Sequence, residues 1–135
     1  VDDILVPTAP GELIDKLTIL RLKSEKITDA GKLANVRHEK DVLQAIADRH
    51  LPASTDLAAR WEELYQINAA LWVIEDDIRI CEAANEFGDT FIRLARAVYV
   101  TNDRRADVKK RINLLLGSAL VEEKSYVDHR AGEPS

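Results

Sequence analysis

From Leu57 to Gly88 the chain carries apolar residues at helical spacing: Leu57, Trp61, Leu64, Ile67, Leu71, Ile74, Ile78 and Cys81 recur at three- and four-residue steps. That period predicts one long amphipathic helix. Beside the stripe, Asn68, Trp72, Glu75, Arg79, Glu82 and Glu86 stack into a second, narrow column. Ordinary solvent faces mix Lys with Glu; an indole in a ladder of acids broken by one arginine is a different pattern. Some thirty helical residues would span about 45 Å, more than the roughly 30 Å diameter of a compact domain this size. Such a helix must project, kink or be covered by a second chain, so a homodimer is expected.

The flanking segments read as shorter helices. Helix 1 is predicted from about Pro10 to Thr28, with Leu13, Leu17, Leu20 and Ile27 on one face together with Arg21 and Ser24. Glu12, Asp15 and Lys16 fall outside that face, and Ile19 and Leu22 form a second apolar strip that suggests another partner surface. Asp29-Ala30-Gly31 turns the chain into a second helix, about Lys32 to His50, with Leu33, Val36, Val42, Leu43, Ile46 and Ala47 inward and Glu39 among them. An antiparallel hairpin about Ala30 would set Arg21 and Glu39 at one height, which predicts a partly buried ion pair. Ser54 or Thr55 suits the N-cap of the long helix, and Gly88-Asp89-Thr90 reads as a break followed by a cap. A fourth helix then carries Phe91, Leu94, Ala95 and Val98 inward, and Asn102 or Asp103 caps a fifth with Val108, Ile112 and Leu115, ending at Gly117. The expected fold is all-α, an antiparallel bundle of four to five helices around one long central helix. Residues 1–126 form the single domain and 127–135 a disordered polar tail.

Composition narrows the function. At 135 residues, with 46% hydrophobic and 32% charged, the chain suits one helix-rich globular domain. A formal net charge of -5 argues against general nucleic-acid binding or an anionic membrane surface, both of which need a basic footprint. The single cysteine, Cys81, lies on the apolar stripe and reads as a packed thiol in a reducing compartment. No stretch reaches the roughly 18 to 20 apolar residues of a membrane span. The opening VDDILVPTAP has neither the basic start nor the apolar run of a signal peptide. Cytoplasmic residence is expected.

Trp72, Glu75, Arg79 and Glu82 on the long helix, with Arg105, are the candidate ligand-binding residues, placed to contact a protein partner or a small anionic ligand. The plain alternative is a set of one-turn helix pairs worth a few tenths of a kcal/mol. On this reading the chain is a non-enzymatic binding module with no cofactor. A second reading makes it a Mg-dependent hydrolase of a nucleotide or other phosphate compound, with Glu75, Glu82 and Glu86 as metal ligands and Arg79 or Arg105 on the phosphate. Glu12-x-x-Asp15 and Glu86-x-x-Asp89 also have one-turn carboxylate spacing. No histidine stands three residues after a glutamate, as a helical di-iron site requires. His38-Glu39 lacks the second histidine of a zincin motif, since Val42 occupies that position. The five glycines are isolated, so no phosphate-cradling loop is present, and no Gly-x-Ser-x-Gly elbow occurs. Arg104, Arg105, Lys109, Lys110 and Arg111, interleaved with Asp103 and Asp107, read as a solvated helix face.

GELIDKLTIL at 11–20, INAALWVIEDDIR at 67–79, FIRLARAVYVTNDRRADVKKRIN at 91–113 and GSALVEEKSY at 117–126 together resemble a family of small bacterial proteins of unknown function. The resemblance implies a stand-alone bacterial cytoplasmic domain whose recurrent polar segments fall on Glu12-Asp15-Lys16, Trp72-Glu75-Arg79 and Glu122-Glu123-Lys124. It carries over no reaction, cofactor or catalytic residue.

Overall fold

A computed structural model describes residues 1–130. The described residues form four helices and no strand: α1 Pro10–Lys26, α2 Ala30–His50, α3 Thr55–Ala83 and α4 Asp89–Leu115. No helix among them is long and apolar enough to cross a membrane. The polar tail expected at 127–135 falls partly outside the described residues, at 131–135.

Local chemistry sets the boundaries. Pro10 opens α1, where its missing N–H costs nothing. The Asp29 carboxylate accepts from the Lys32 N–H at 2.8 Å and the Ser54 hydroxyl from the Leu57 N–H at 3.0 Å, so each caps the helix that follows it. At the end of α3, Asn85 takes a left-handed φ of 55° and the Glu86 N–H donates to the Cys81 carbonyl at 2.9 Å. That six-residue closure ends the helix before Gly88 and leaves Glu86 beyond it. Gly117, at φ 62°, ends α4 in the same way, with the Ser118 N–H donating to the Asn113 carbonyl at 2.9 Å.

One expectation about architecture is corrected. The predicted fourth and fifth helices are one, because Asn102 and Asp103 sit inside α4 rather than at its start. Leu94, Val98, Thr101, Arg105, Val108 and Ile112 keep one stripe in step through that point, and no Gly or Pro interrupts it. The longest helix, α3, shares the centre with α1. α1 packs on all three others, α3 packs on α1 and α4, and α2 packs on α1. Accordingly α1 buries residues nearly all round, including Gly11, Leu13, Ile14, Asp15, Leu17, Thr18, Leu20 and Leu22.

The core lies at the crossing of α1 with the α3–α4 hairpin. Ile14, Leu57, Leu64, Ile67, Val108 and Ile112 form its main cluster, and Leu13, Leu17 and Ala47 a second, joined through Leu51 and Trp61. Cys81 is buried with a free thiol. The Arg21–Glu39 pair does not form. Arg21 instead stacks on the Tyr65 ring at 3.6 Å and pairs with Glu25 and Glu62, while exposed Glu39 lies 3.9 Å from Lys16. Helical phase explains this: once α1 sits against α3, position 21 faces α3 and not α2. Of the Ile19–Leu22 strip, Leu22 is buried and Ile19 half-buried, so only part of it faces outward.

Candidate functional site

The first turns of α1 lie against the last turns of α4, and a polar network joins them. Asp15, expected on the outside of α1, is only 2% exposed. The Arg105 Nε donates to its Oδ1 at 2.9 Å, and Nη2 donates to Oδ2, making a two-point clamp. The Asn68 side-chain amide, on α3, donates to the same Oδ1 and to the Thr18 hydroxyl, both at 2.9 Å. Thr18 in turn donates to the Asp15 carbonyl at 2.7 Å. One carboxylate thus ties three helices together, and no buried side-chain polar atom among the described residues lacks a partner.

Lys109 extends the network outward. Its ammonium lies against Glu12, 4.0 Å from Asp15 Oδ2 and 3.2 Å from Glu122 Oε2. Burial works against its charge, but the hydrogen bond to Glu12 and the nearby Asp15 carboxylate outweigh it and hold the ammonium above its ordinary range. The Asp15 hydrogen bond similarly holds the Arg105 guanidinium above its own. Glu122, which faces Glu12 and accepts from Lys109 at 3.2 Å, is kept below the usual carboxylate range. A depressed carboxyl contributes stability that is present above its unfolded pKa and lost as pH falls through its folded one. Acidification below about pH 4 should therefore detach the segment after α4 before the helices melt. Backbone chemical shifts of residues 118–126, followed against those of α1 as the pH falls, will show this as an early move of the segment alone to random-coil values.

Next to Arg105 the network opens onto a groove of about 320 Å³. Ile19 and Leu22 of α1 and Leu71 of α3 give it an apolar floor, Trp72 a wall, and Glu75, Asp76, Arg79 and Arg105 its charge. The Arg79 guanidinium is bound to Glu75 at 2.6 Å yet remains 71% exposed, so the pair sits at the mouth. Arg105 is held from behind by Asp15, with Nε and Nη2 committed there. Such a groove can take an apolar side chain on its floor and a charged or hydrogen-bonding group at its rim.

Of the candidate residues named from sequence, Trp72, Glu75, Arg79 and Arg105 line this groove, whereas Glu82 lies exposed further along α3. Glu75, Glu82 and Glu86 do not come together, and among the described residues no three His, Cys, Asp or Glu side chains form a metal-binding group. Periodicity alone does not assign Asp15, Thr18, Lys109 and Glu122 to a common site. The available signal is Gly11, Asp15, Thr18 and Leu22 at steps of four, three and four, a small and polar stripe on a helix with no fully polar side.

A family model described as a family of unknown function, DUF6165, matches residues 4–135. No curated protein and no solved structure matches the chain.

Proposed function

We propose that this chain, which belongs to the DUF6165 family of unknown function, is a non-enzymatic interaction module that works as a pair of identical chains in the bacterial cytoplasm and receives a segment of a protein partner in the groove beside Trp72. The observation that carries this reading is the groove itself: α1, α3 and α4 each contribute to it, its floor is apolar, and three of its four charges are already paired within the chain. Glu75 offsets Arg79 and Asp15 offsets Arg105, so no strong field of one sign is directed at a free anion. An apolar anchor ringed by satisfiable charges is the arrangement that hot spots of protein interfaces favour, with tryptophan and arginine the enriched types.

Affinity capture from a lysate of the native cell, with the wild type and Trp72→Ala side by side, tests it. Trp72 is half-buried at the surface, so its truncation should leave the fold standing, which circular dichroism will verify. The expected result is a protein held by the wild type and by Lys40→Ala, a control on α2, and lost with Trp72→Ala. A hot-spot indole is worth about 2 kcal/mol or more, a loss of some thirtyfold in affinity. Identical capture by all three chains overturns the reading. So does Mg²⁺-dependent release of phosphate from pyrophosphate or nucleoside triphosphates that disappears with Glu75→Gln.

A further inference from the structure

The distal half of the α3–α4 hairpin, roughly Val73 to Val100, has four distinct sides. Trp72, Glu75 and Arg79 belong to the groove. Tyr99 and Asp103 of α4 meet the returning C-terminal segment, with His129 Nε2 3.0 Å from the Asp103 carboxylate and its ring 5.8 Å from that of Tyr99. Half-buried Ile74 and Ile78, with buried Cys81, are the positions α3 turns toward half-buried Leu94 and Val98 of α4. The remaining side carries Val73, Asp77 and Ile80 on α3 and Arg93, Ala97, Val100 and Arg104 on α4, at three- and four-residue steps along each helix. Its large apolar members are open to solvent: Val73 is 52% exposed, Ile80 64% and Val100 38%. A shallow groove of about 340 Å³ already runs along its α4 edge, past Arg93, Ala97 and Val100.

From these observations we infer that this back side is where a second copy of the chain docks, with α3 of one copy lying on α4 of the other. The inference deepens the pairing proposed above and rests on it. Charge selects the occupant and the order. α3 brings Asp77 to the face, whereas α4 brings Arg93 and Arg104, with Arg96 and Asp89 at the margin. A two-fold axis across the helices would lay α3 on α3 and α4 on α4, setting aspartate against aspartate and arginine against arginine. A two-fold axis along the helices lays each α3 on the partner's α4 at the same height, so Asp77 meets Arg93 and Val73 meets Val100. Only this second order makes the face complementary to itself, the requirement for an isologous dimer. It also leaves the groove beside Trp72 open on both copies, because that groove faces the other way.

Sedimentation velocity on the full chain from about 1 to 100 µM, a range that spans weak dimers, tests both the pairing and its geometry. The wild type should dimerise, and Asp77→Arg and Arg93→Asp should each weaken the dimer at least tenfold. Both positions are exposed, so the monomers should keep the wild-type circular dichroism spectrum. An equimolar mixture of the two variants should recover wild-type association. In the mixed dimer one contact sets the introduced arginine of the first variant against the introduced aspartate of the second, with the charges exchanged. The other contact keeps the native Arg93 of the first variant against the native Asp77 of the second. A wild type that stays monomeric throughout overturns the pairing and this surface together. A dimer indifferent to both substitutions overturns this surface alone. Two weakened variants that do not rescue each other overturn the α3-on-α4 order.

Discussion

Asp15→Ala should destabilise the fold by about 3–5 kcal/mol, the cost expected when one member of a buried ion pair is removed and its partner is left uncompensated. The geometry makes this severe. The Arg105 clamp would lose both acceptors, the Asn68 amide would lose one of its two, and Lys109 would lose a carboxylate that helps offset its burial. Urea denaturation of wild type and variant, compared at equal m-value, measures the loss. Replacing both partners, as in Asp15→Leu with Arg105→Met, should cost less than Asp15→Ala alone, because no charge is then left buried without a mate. A loss below about 1 kcal/mol for Asp15→Ala, within the range of an ordinary exposed pair, would show that the network does not hold α1 in place. The same carboxylate bears on the interaction reading. Arg105 reaches the groove rim with its Nε and Nη2 fixed from behind, so the rim is preorganised and little side-chain entropy is left for a partner to quench there.

The parts of this molecule legible in the sequence are those that one helix writes by itself. The stripe from Leu57 to Cys81 marks α3, and the column beside it places Trp72, Glu75 and Arg79 on one side of that helix, where they do line a common groove. Glu82 continues the column but not the groove, whose α1 wall is made by Ile19 and Leu22 alone. Features that depend on two helices at once are harder to read. Asp15 looks like a surface acid when α1 is given a single buried face, and it becomes a core residue only when α4 covers that side and delivers Arg105. Asn102 and Asp103 have cap chemistry, but a cap needs a chain that leaves the helical path. Here the stripe from Leu94 to Ile112 stays in phase and the helix continues. Asn85 shows the converse: Gly88 looks like the natural stop for α3, yet asparagine tolerates the left-handed conformation well enough to end the helix earlier.

Gly11→Ala should destabilise the protein by about 1–3 kcal/mol, the usual cost of overpacking, although alanine is the better helix former by about 1 kcal/mol. A Cβ at Gly11 would stand 2.6 Å from the Lys109 carbonyl oxygen and 2.9 Å from Asn113 Oδ1. The first of these is hydrogen-bonded backbone within α4, so the contact can be relieved only by moving α1 outward. That movement stretches the 2.8 Å bond from the Gly11 N–H to Asn113 Oδ1, which is buried. Asn113 is 4% exposed, and its oxygen would then lose a partner that water cannot readily replace. The discriminating control is the same substitution at Gly31, in the first turn of α2, where the nearest atom is the Asp29 carboxylate at 3.4 Å, an ordinary contact. Gly31→Ala should leave stability unchanged or raise it by up to about 1 kcal/mol through lost chain entropy in the unfolded state. Thermal unfolding of the two variants should therefore move the midpoint in different directions from one chemical change. If both rise together, α1 and α4 have room between them that the 2.6 Å approach denies, and the crossing that sets Asp15 against Arg105 is looser than the geometry requires.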